Sequence, residues 1–403
     1  MTSTKIRGGR VLDVMSATMT PNAGLSISDG LIAADAGVEG RAIDADGLVL
    51  MPGLVDCHVH LGLSLEPLET QLLRSPTDHV VETLRRGRRL LEMGVTTARD
   101  AGGATAGLTR AFDSGDFLGP SLQVSVGWLS QTGGHGDQRM ASGAERWPAA
   151  LDLPSGVADG TGGVRVAARQ QIRAGADWLK VMATGGVLSP SDHPDATGFT
   201  VEELATVVQE ARAARLRGVL AHCTNAQGTK NALRAGITSI EHGDGLDEEA
   251  VDMMLAADAV LVPTLALTQW MVSPAYRDRA DVPAATKEQI APLAEAQQAM
   301  VTEAAARGIR IAMGTDWFEG VYAPAEVAYM AEFGLGAAGA IRAATVEAAR
   351  LLGLEHETGQ LLPGMWGDVI GVAGDPLTTP DAFHDPDFIR LVISRGRVVV
   401  DRR

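Results

Sequence analysis

Six side chains in this sequence are of the types that hold divalent metal ions, namely imidazoles and groups that present anionic oxygen. His58 and His60 stand in the stretch Pro-Gly-Leu-Val-Asp-Cys-His-Val-His. Residues two apart on a strand face the same side, so both rings can share one ion. Lys180 sits in the apolar run Trp-Leu-Lys-Val-Met, which leads into Ala-Thr-Gly-Gly. Burying an isolated ammonium is expensive, so a lysine here needs a task or a route to water. Desolvation favours the free amine. A free amine can take up carbon dioxide and become a carbamate, whose two oxygens can bridge two metals. His222 in Leu-Ala-His-Cys, His242 in Ser-Ile-Glu-His-Gly and Asp316 in Ala-Met-Gly-Thr-Asp complete the set. Each alone has a plainer explanation. A strand-end histidine can donate to a carbonyl, Lys180 can reach water, and Asp316 can cap a helix. Their shared placement argues for joint chemistry.

That placement comes from the elements around them. From residue 54 onward, apolar strand-like runs alternate with helix-length segments, and strands are expected at 54–61, 95–101, 122–129, 178–183, 219–223, 239–242, 260–265 and 311–315. Eight buried strands with such connections predict an α/β fold, a parallel (β/α)8 TIM barrel. All six residues then fall at or near C-terminal strand ends, where barrel enzymes place their active sites. Helices are expected over 77–93, with Gly94 as C-cap, over 200–216, opened by a Thr200/Glu203 capping box, and over 283–307. Residues 129–163 lack periodicity and read as a long loop.

Residues 1–52 read as short strands, with a run at 6–14, a strand at 25–27 before the turn Asp29-Gly30, and a strand at 48–51 before Pro52-Gly53. Residues 361–403 return to β character around the turn Arg395-Gly396. The two ends are expected to pair as one small β-sandwich, with the barrel of residues 53–360 inserted between its halves.

The chain has 403 residues, 45% of them hydrophobic, which suits a large packed core. Its formal charge of −16 argues against nucleic-acid and anionic-membrane partners. Two cysteines, Cys57 and Cys223, do not make a disulfide scaffold. No run of about 18 apolar residues and no signal-like apolar start occur, so a cytoplasmic protein acting on a small molecule is expected. Of the other histidines, His79, His356 and His384 are expected at the surface, and His193 lies in a loop that can approach the site. His135, in Thr-Gly-Gly-His-Gly-Asp, has glycines that let the backbone come close to a ligand, and a substrate-facing role is expected.

The set His58, His60, Lys180, His222, His242 and Asp316, in this order, resembles the amidohydrolase superfamily over nearly the whole chain. Trp-Leu-Lys-Val-Met-Ala-Thr-Gly-Gly-Val-Leu-Ser and Thr-Gly-Gly-His-Gly-Asp are similar to its imidazolonepropionase-related, Xaa-Pro dipeptidase (prolidase)-like branch. The resemblance implies a binuclear zinc site. His58, His60 and Asp316 would bind the more buried ion, His222 and His242 the second, and Lys180, carrying carbon dioxide as an N6-carboxylate, would bridge them. It further implies cleavage of a C–N amide bond by a metal-bridging hydroxide, with Asp316 moving the proton and His135 on the oxyanion. Gly186, Val187, Thr224 and Asn225 are the remaining expected substrate contacts, and homo-oligomers are common in this fold. Dipeptidases of the branch carry a Tyr where Thr224 stands, so N-acyl amino acids, aryl amides, ureas and carbamates join dipeptides as candidate substrates. Two rival readings remain. One is a mononuclear deaminase or cyclic-amidine hydrolase, which usually lacks the bridging lysine and uses a Glu near the fifth-strand histidine. The other is a non-catalytic scaffold, which would have lost ligands.

Overall fold

The computed structural model describes residues 3–21, 24–34, 40–139, 142–143, 153–188, 192–282 and 284–403. The run at 6–14 belongs to two strands, Ser3–Arg7 and Arg10–Asp13, because the chain turns at Gly8 and Gly9 with φ of +70° and +77°. A Cβ at Gly9 would also lie 2.8 Å from the Ala45 carbonyl. Glycine is therefore required there both for the turn and for the close approach. Ser3–Arg7 joins a four-stranded sheet with Leu25–Ser28, Leu31–Ile32 and Arg41–Asp44. Arg10–Asp13 joins a six-stranded sheet with Thr18–Pro21, Leu48–Pro52, Val369–Ala373, Ile389–Ser394 and Arg397–Asp401. The two ends of the chain meet in that second sheet, where Val369 pairs antiparallel with Pro52 and Ala373 with Leu48. Ile6, Ile27 and Ile43 of the first sheet pack with Leu50, Leu391 and Ile393 of the second.

The rest is mixed α/β. Leu54–Val59, Val95–Asp100 and Ser121–Val124 form one parallel sheet. Trp128–Leu129, Trp178–Met182, Gly218–Cys223, Ser239–His242, Val260–Val262 and Arg310–Ile311 form a second, also parallel. The expected strand at 122–129 is split between the two sheets. Val126 holds φ +64°, an uncommon conformation for a β-branched residue, and the next amide, Gly127, donates to Gln171 Oε1 at 3.1 Å. The expected strand at 260–265 stops at Val262, because Thr264 turns left-handed (φ +56°) and a helix begins at Leu265. The expected strand at 311–315 shrinks to Arg310–Ile311. The chain beyond it bonds to the first strand instead, with Cys57 N–H donating to Met313 O at 2.8 Å and Val59 bridging Trp317.

Helix Pro76–Glu92 starts one residue before its expected position, with Pro76 in the first turn and a reciprocal Ser75/Asp78 capping box. His79 is buried, not at the surface as expected. With Thr83, Arg86 and Leu90 it repeats at helical spacing along the inward stripe. The Thr200/Glu203 box forms as expected, and its helix, Val201–Ala213, ends before a left-handed Arg215. Helix Ala284–Arg307 fills the third expected helix, whose first residue, 283, lies outside the described residues. Of the expected loop 129–163, residues 140–141 and 144–152 lie outside the described residues, and a helix, Gly160–Arg173, already opens within it. A helical run from Ala325 to Leu351, broken at Gly334, was not expected from periodicity. Among the described residues, no helix is long and apolar enough to cross a membrane.

Candidate metal centre

His58 lies within the strand Leu54–Val59 and His60 directly follows it. His58 Nδ1 is 2.6 Å from Glu241 Oε2, and His60 Nδ1 is 2.7 Å from the Gly102 carbonyl. A carboxylate and a carbonyl only accept, so each Nδ1 carries the hydrogen and each Nε2 keeps its lone pair. Both Nε2 atoms face Asp316 Oδ1, at 3.6 Å and 3.1 Å. The three groups offer ligand atoms within 4.8 Å of one another. Asp316 reaches them from a left-handed backbone, φ +50°. The first strand holds that backbone in place. Asp56 accepts from the Thr315 amide at 3.1 Å and from its hydroxyl at 2.6 Å, and Trp317 N–H donates to His58 O at 3.3 Å.

The other half comes from the neighbouring strands. His222 Nε2 lies 2.9 Å from the Gly185 carbonyl, which leaves Nδ1 as its free lone pair. His242 Nδ1 lies 2.7 Å from Thr264 Oγ1. The His242 ring centre is 4.5 Å from that of His222 and 5.2 Å from that of His58. Glu241 and His242 are consecutive, and a regular strand would send them to opposite faces. A φ of +67° at His242 turns the chain so that both reach the neighbourhood of His58. Lys180 is 2% exposed and lines the same cavity as the four histidines and Asp316. The six sequence-selected side chains are thus brought together.

Burial drives the Lys180 amine down to about 8, against the pull of Glu241 and Asp316. Burial, then the nearby Lys180, holds His58 well below its usual range. Burial, then His135, does the same for His222, and burial takes His242 down to about 4. Burial works against a charged His60, but the Asp316 carboxylate outweighs it and the pKa rises. Burial would raise Asp316, yet the nearby His58 and His60 rings hold it well below the usual carboxylate range. Three imidazoles held neutral, a fourth paired with an anionic carboxylate and an amine poised near 8 suit a divalent cation.

A layer of charged residues behind these candidate ligands was missed from the sequence. Arg99 is fully buried and donates to Cys57 O at 2.6 Å, Ser239 Oγ at 3.1 Å and Glu241 Oε1 at 2.8 Å. Its guanidinium stacks 4.6 Å from the Trp178 ring centre. Asp100 accepts from the amides of Leu61, Gly102 and Ala104, which shapes the loop whose Gly102 carbonyl orients His60. The signal was available. Asp56, Arg99, Asp100 and Glu241 are charges inside fully buried strands, the same feature that singled out Lys180.

Of the expected substrate contacts, His135 lines the cavity and stacks on His222, with ring centres 4.3 Å apart. Its ring lies so close to Gly186 that a Cβ there would meet it at 2.4 Å. Val187 and Thr224 also line the cavity, and the Thr224 hydroxyl is engaged with the Gly185 carbonyl at 2.8 Å. Asn225 is not among the lining residues. Its side-chain oxygen accepts from Gly228 N–H as the N-cap of helix Ala226–Arg234, and its amide donates to Pro194 O at 2.7 Å. The His193 side chain is 64% exposed and points to no partner in the cavity, pairing instead with Asp195. His356 and His384 are exposed. Helices Leu265–Val272 and Ala284–Arg307 contribute Leu267, Met271 and Leu293 to the walls, with Phe318 beside them.

This chain is similar to proteins of known structure and activity. Ochratoxinase from Aspergillus niger is 32% identical over 371 residues, spanning 87% of this chain and 75% of that protein. The solved A. niger ochratoxinase structure matches with a TM-score of 0.84 at 30% identity, covering 99% and 96% of the two chains. A prolidase solved with N-methylphosphonate-L-proline matches with a TM-score of 0.91 at 31% identity, over 100% of both chains. Imidazolonepropionase from Symbiobacterium thermophilum is 27% identical over 430 residues, 98% of this chain and 93% of that protein. The model of the Amidohydrolase family matches residues 49–399, and the chain belongs to that family, in its imidazolonepropionase-related, prolidase-like branch.

Proposed function

We propose that this protein is a binuclear metal-dependent amidohydrolase that cleaves a C–N bond of a small amide, urea or carbamate. The observation that carries this reading is the convergence of four imidazoles, Lys180 and Asp316 on one cavity. The scaffold is read as a (β/α)8 barrel of residues 53–360, set between the two halves of a β-sandwich, 1–52 and 361–403. The backbone bonds from the chain after Ile311 to the first strand support the barrel, and the six-stranded sheet shared by both ends supports the sandwich.

The donor set fits two divalent ions, zinc foremost. His58, His60 and Asp316 would hold one, and His222 and His242 the other. The Lys180 amine adds to carbon dioxide, forming an N–C bond and releasing a proton, and the resulting carboxylate would lie between the two. When bound, such ions supply polarisation of the scissile carbonyl and a water acidic enough to be a hydroxide near neutral pH. Asp316, which would hold one of the ions, is the carboxylate that would take a proton from the attacking water and pass it to the leaving nitrogen. His135, stacked on His222, donates to the oxygen that gains charge. Val187 and Thr224 shape the adjoining wall.

The mononuclear alternative needs a free glutamate near His222. The buried Glu241 has one oxygen on His58 and the other on Arg99 and Ser239, which speaks against it in that role. The test is a metal count joined to a hydrolysis screen of dipeptides, N-acyl amino acids, anilides, ureas and carbamates. Two ions per chain and turnover of at least one class are expected. One ion per chain would favour the deaminase reading, and a protein that takes up no zinc or cobalt would favour the scaffold.

A further inference from the structure

The cavity has polar groups that neither the metal set nor the proton relay uses. Asp244, two residues past His242, is 4% exposed, and Gln297, on helix Ala284–Arg307, is 1% exposed. Both line the cavity. The Gln297 side chain lies within reach of the Asp244 carboxyl. Asp244 Oδ1 and Gln297 Oε1 are left buried without a hydrogen-bond partner. Buried acceptors of this kind are costly unless something donates to them. Leu267, Met271, Leu293 and Phe318 line the same cavity and have no donor to give. Among the described residues, the only lysine or arginine lining it is Lys180, which belongs to the metal set. Among the described residues, a substrate carboxylate therefore finds no spare side-chain cation, whereas a protonated amine finds two acceptor oxygens.

We propose that Asp244 and Gln297 form an amine-recognising subsite, and that the substrate is a small amide carrying a protonated amine apart from its scissile C–N bond. The substrate half of this statement rests on the amidohydrolase reading, and the amine-binding half does not.

Calorimetric titration of the metal-loaded protein with n-pentylamine hydrochloride and with 1-pentanol tests the binding directly. The amine should bind about tenfold tighter or more, the gain of hydrogen bonds to a charged group. Asp244→Asn should remove most of that preference, and Gln297→Met should reduce it, which keeps the test decisive if one variant fails to fold. Equal binding of amine and alcohol overturns the subsite and leaves ordered water as the partner of the two oxygens. So does amine binding indifferent to both substitutions, the result expected if the amine sat on the metal. Turnover of 6-aminohexanoyl p-nitroanilide against hexanoyl p-nitroanilide separates the two halves. A preference for the first that Asp244→Asn abolishes supports both. Equal turnover overturns the subsite and leaves the hydrolase standing. Asp244-dependent amine binding with no anilide turnover leaves the subsite standing and counts against the hydrolase.

Discussion

Glu241 Oε2 sits 2.6 Å from His58 Nδ1, and the other oxygen of the same carboxylate receives the Arg99 guanidinium at 2.8 Å. One buried anion thus fixes the tautomer of a metal-ligand candidate on one side and satisfies a buried cation on the other. Partners of this kind orient histidine ligands and raise their basicity. Glu241→Gln should weaken metal affinity by about 10- to 100-fold in a competition titration with a chelating indicator. An unchanged affinity would detach Glu241 from the metal site.

Arg99 has no exposure to solvent, so removing it leaves Glu241 as an uncompensated buried charge. Arg99→Leu should lower the unfolding free energy by about 3–5 kcal/mol in denaturant titration. A loss inside experimental scatter would mean that the carboxylate finds another partner.

On the proposed mechanism Asp316 both holds a metal and carries a proton. Asp316→Asn keeps an oxygen for the ion but cannot take the proton. It should retain bound metal and lose about 100- to 10,000-fold in turnover number. Near-normal turnover would remove Asp316 from proton transfer.

The Lys180 amine has been pushed from 10.5 down to about 8 by burial. Below that pH it holds its proton and cannot add carbon dioxide, and above it the free amine can. With 13C-bicarbonate and metal-free protein, the carbamate signal should grow through pH 8, well below the range of a solvent-exposed lysine. A signal absent at pH 9, or present equally at pH 6, would contradict this. Lys180→Ala should lose the second ion and regain part of it with added acetate or propionate.

His135 is held against a glycine that leaves no room for a methyl group. Gly186→Ala should therefore displace the ring and lower kcat much as His135→Ala does, by about 100-fold if the ring donates to the oxyanion. Steady-state kinetics of the two variants and their double mutant check this. Additive losses would show that Gly186 acts on something other than His135.

The metal candidates were legible in the sequence because each is a charged or imidazole side chain in or just after an apolar strand run, and strand periodicity is strongly written in apolar runs. The Ser239–His242 strand and the Thr200/Glu203 cap fell where the pattern put them. What periodicity could not show was where a strand breaks. The left-handed turns at Val126, Thr264 and Asp316 are imposed by tertiary bonds, such as Gln171 to Gly127 and Asp56 to Thr315, rather than by turn-forming residues. Asn225 looked available for a ligand, but helix capping is a local use that a hydrogen-bond partner three residues on already explained. Asp244 and Gln297 are 53 residues apart in number and carry no shared motif, so only the folded chain brings them to one cavity.

The candidate ligands sit on parallel strands or the turns that leave them, whereas Leu267, Met271, Leu293 and Gln297 come from two helices that line the same cavity. The apolar wall is thus encoded largely apart from the metal-ligand candidates, while Asp244 follows His242 on the strand side. Randomising those helix positions alone would change the cavity wall while leaving the strand-borne metal-ligand candidates in place, which makes this scaffold a natural starting point for directed changes of binding.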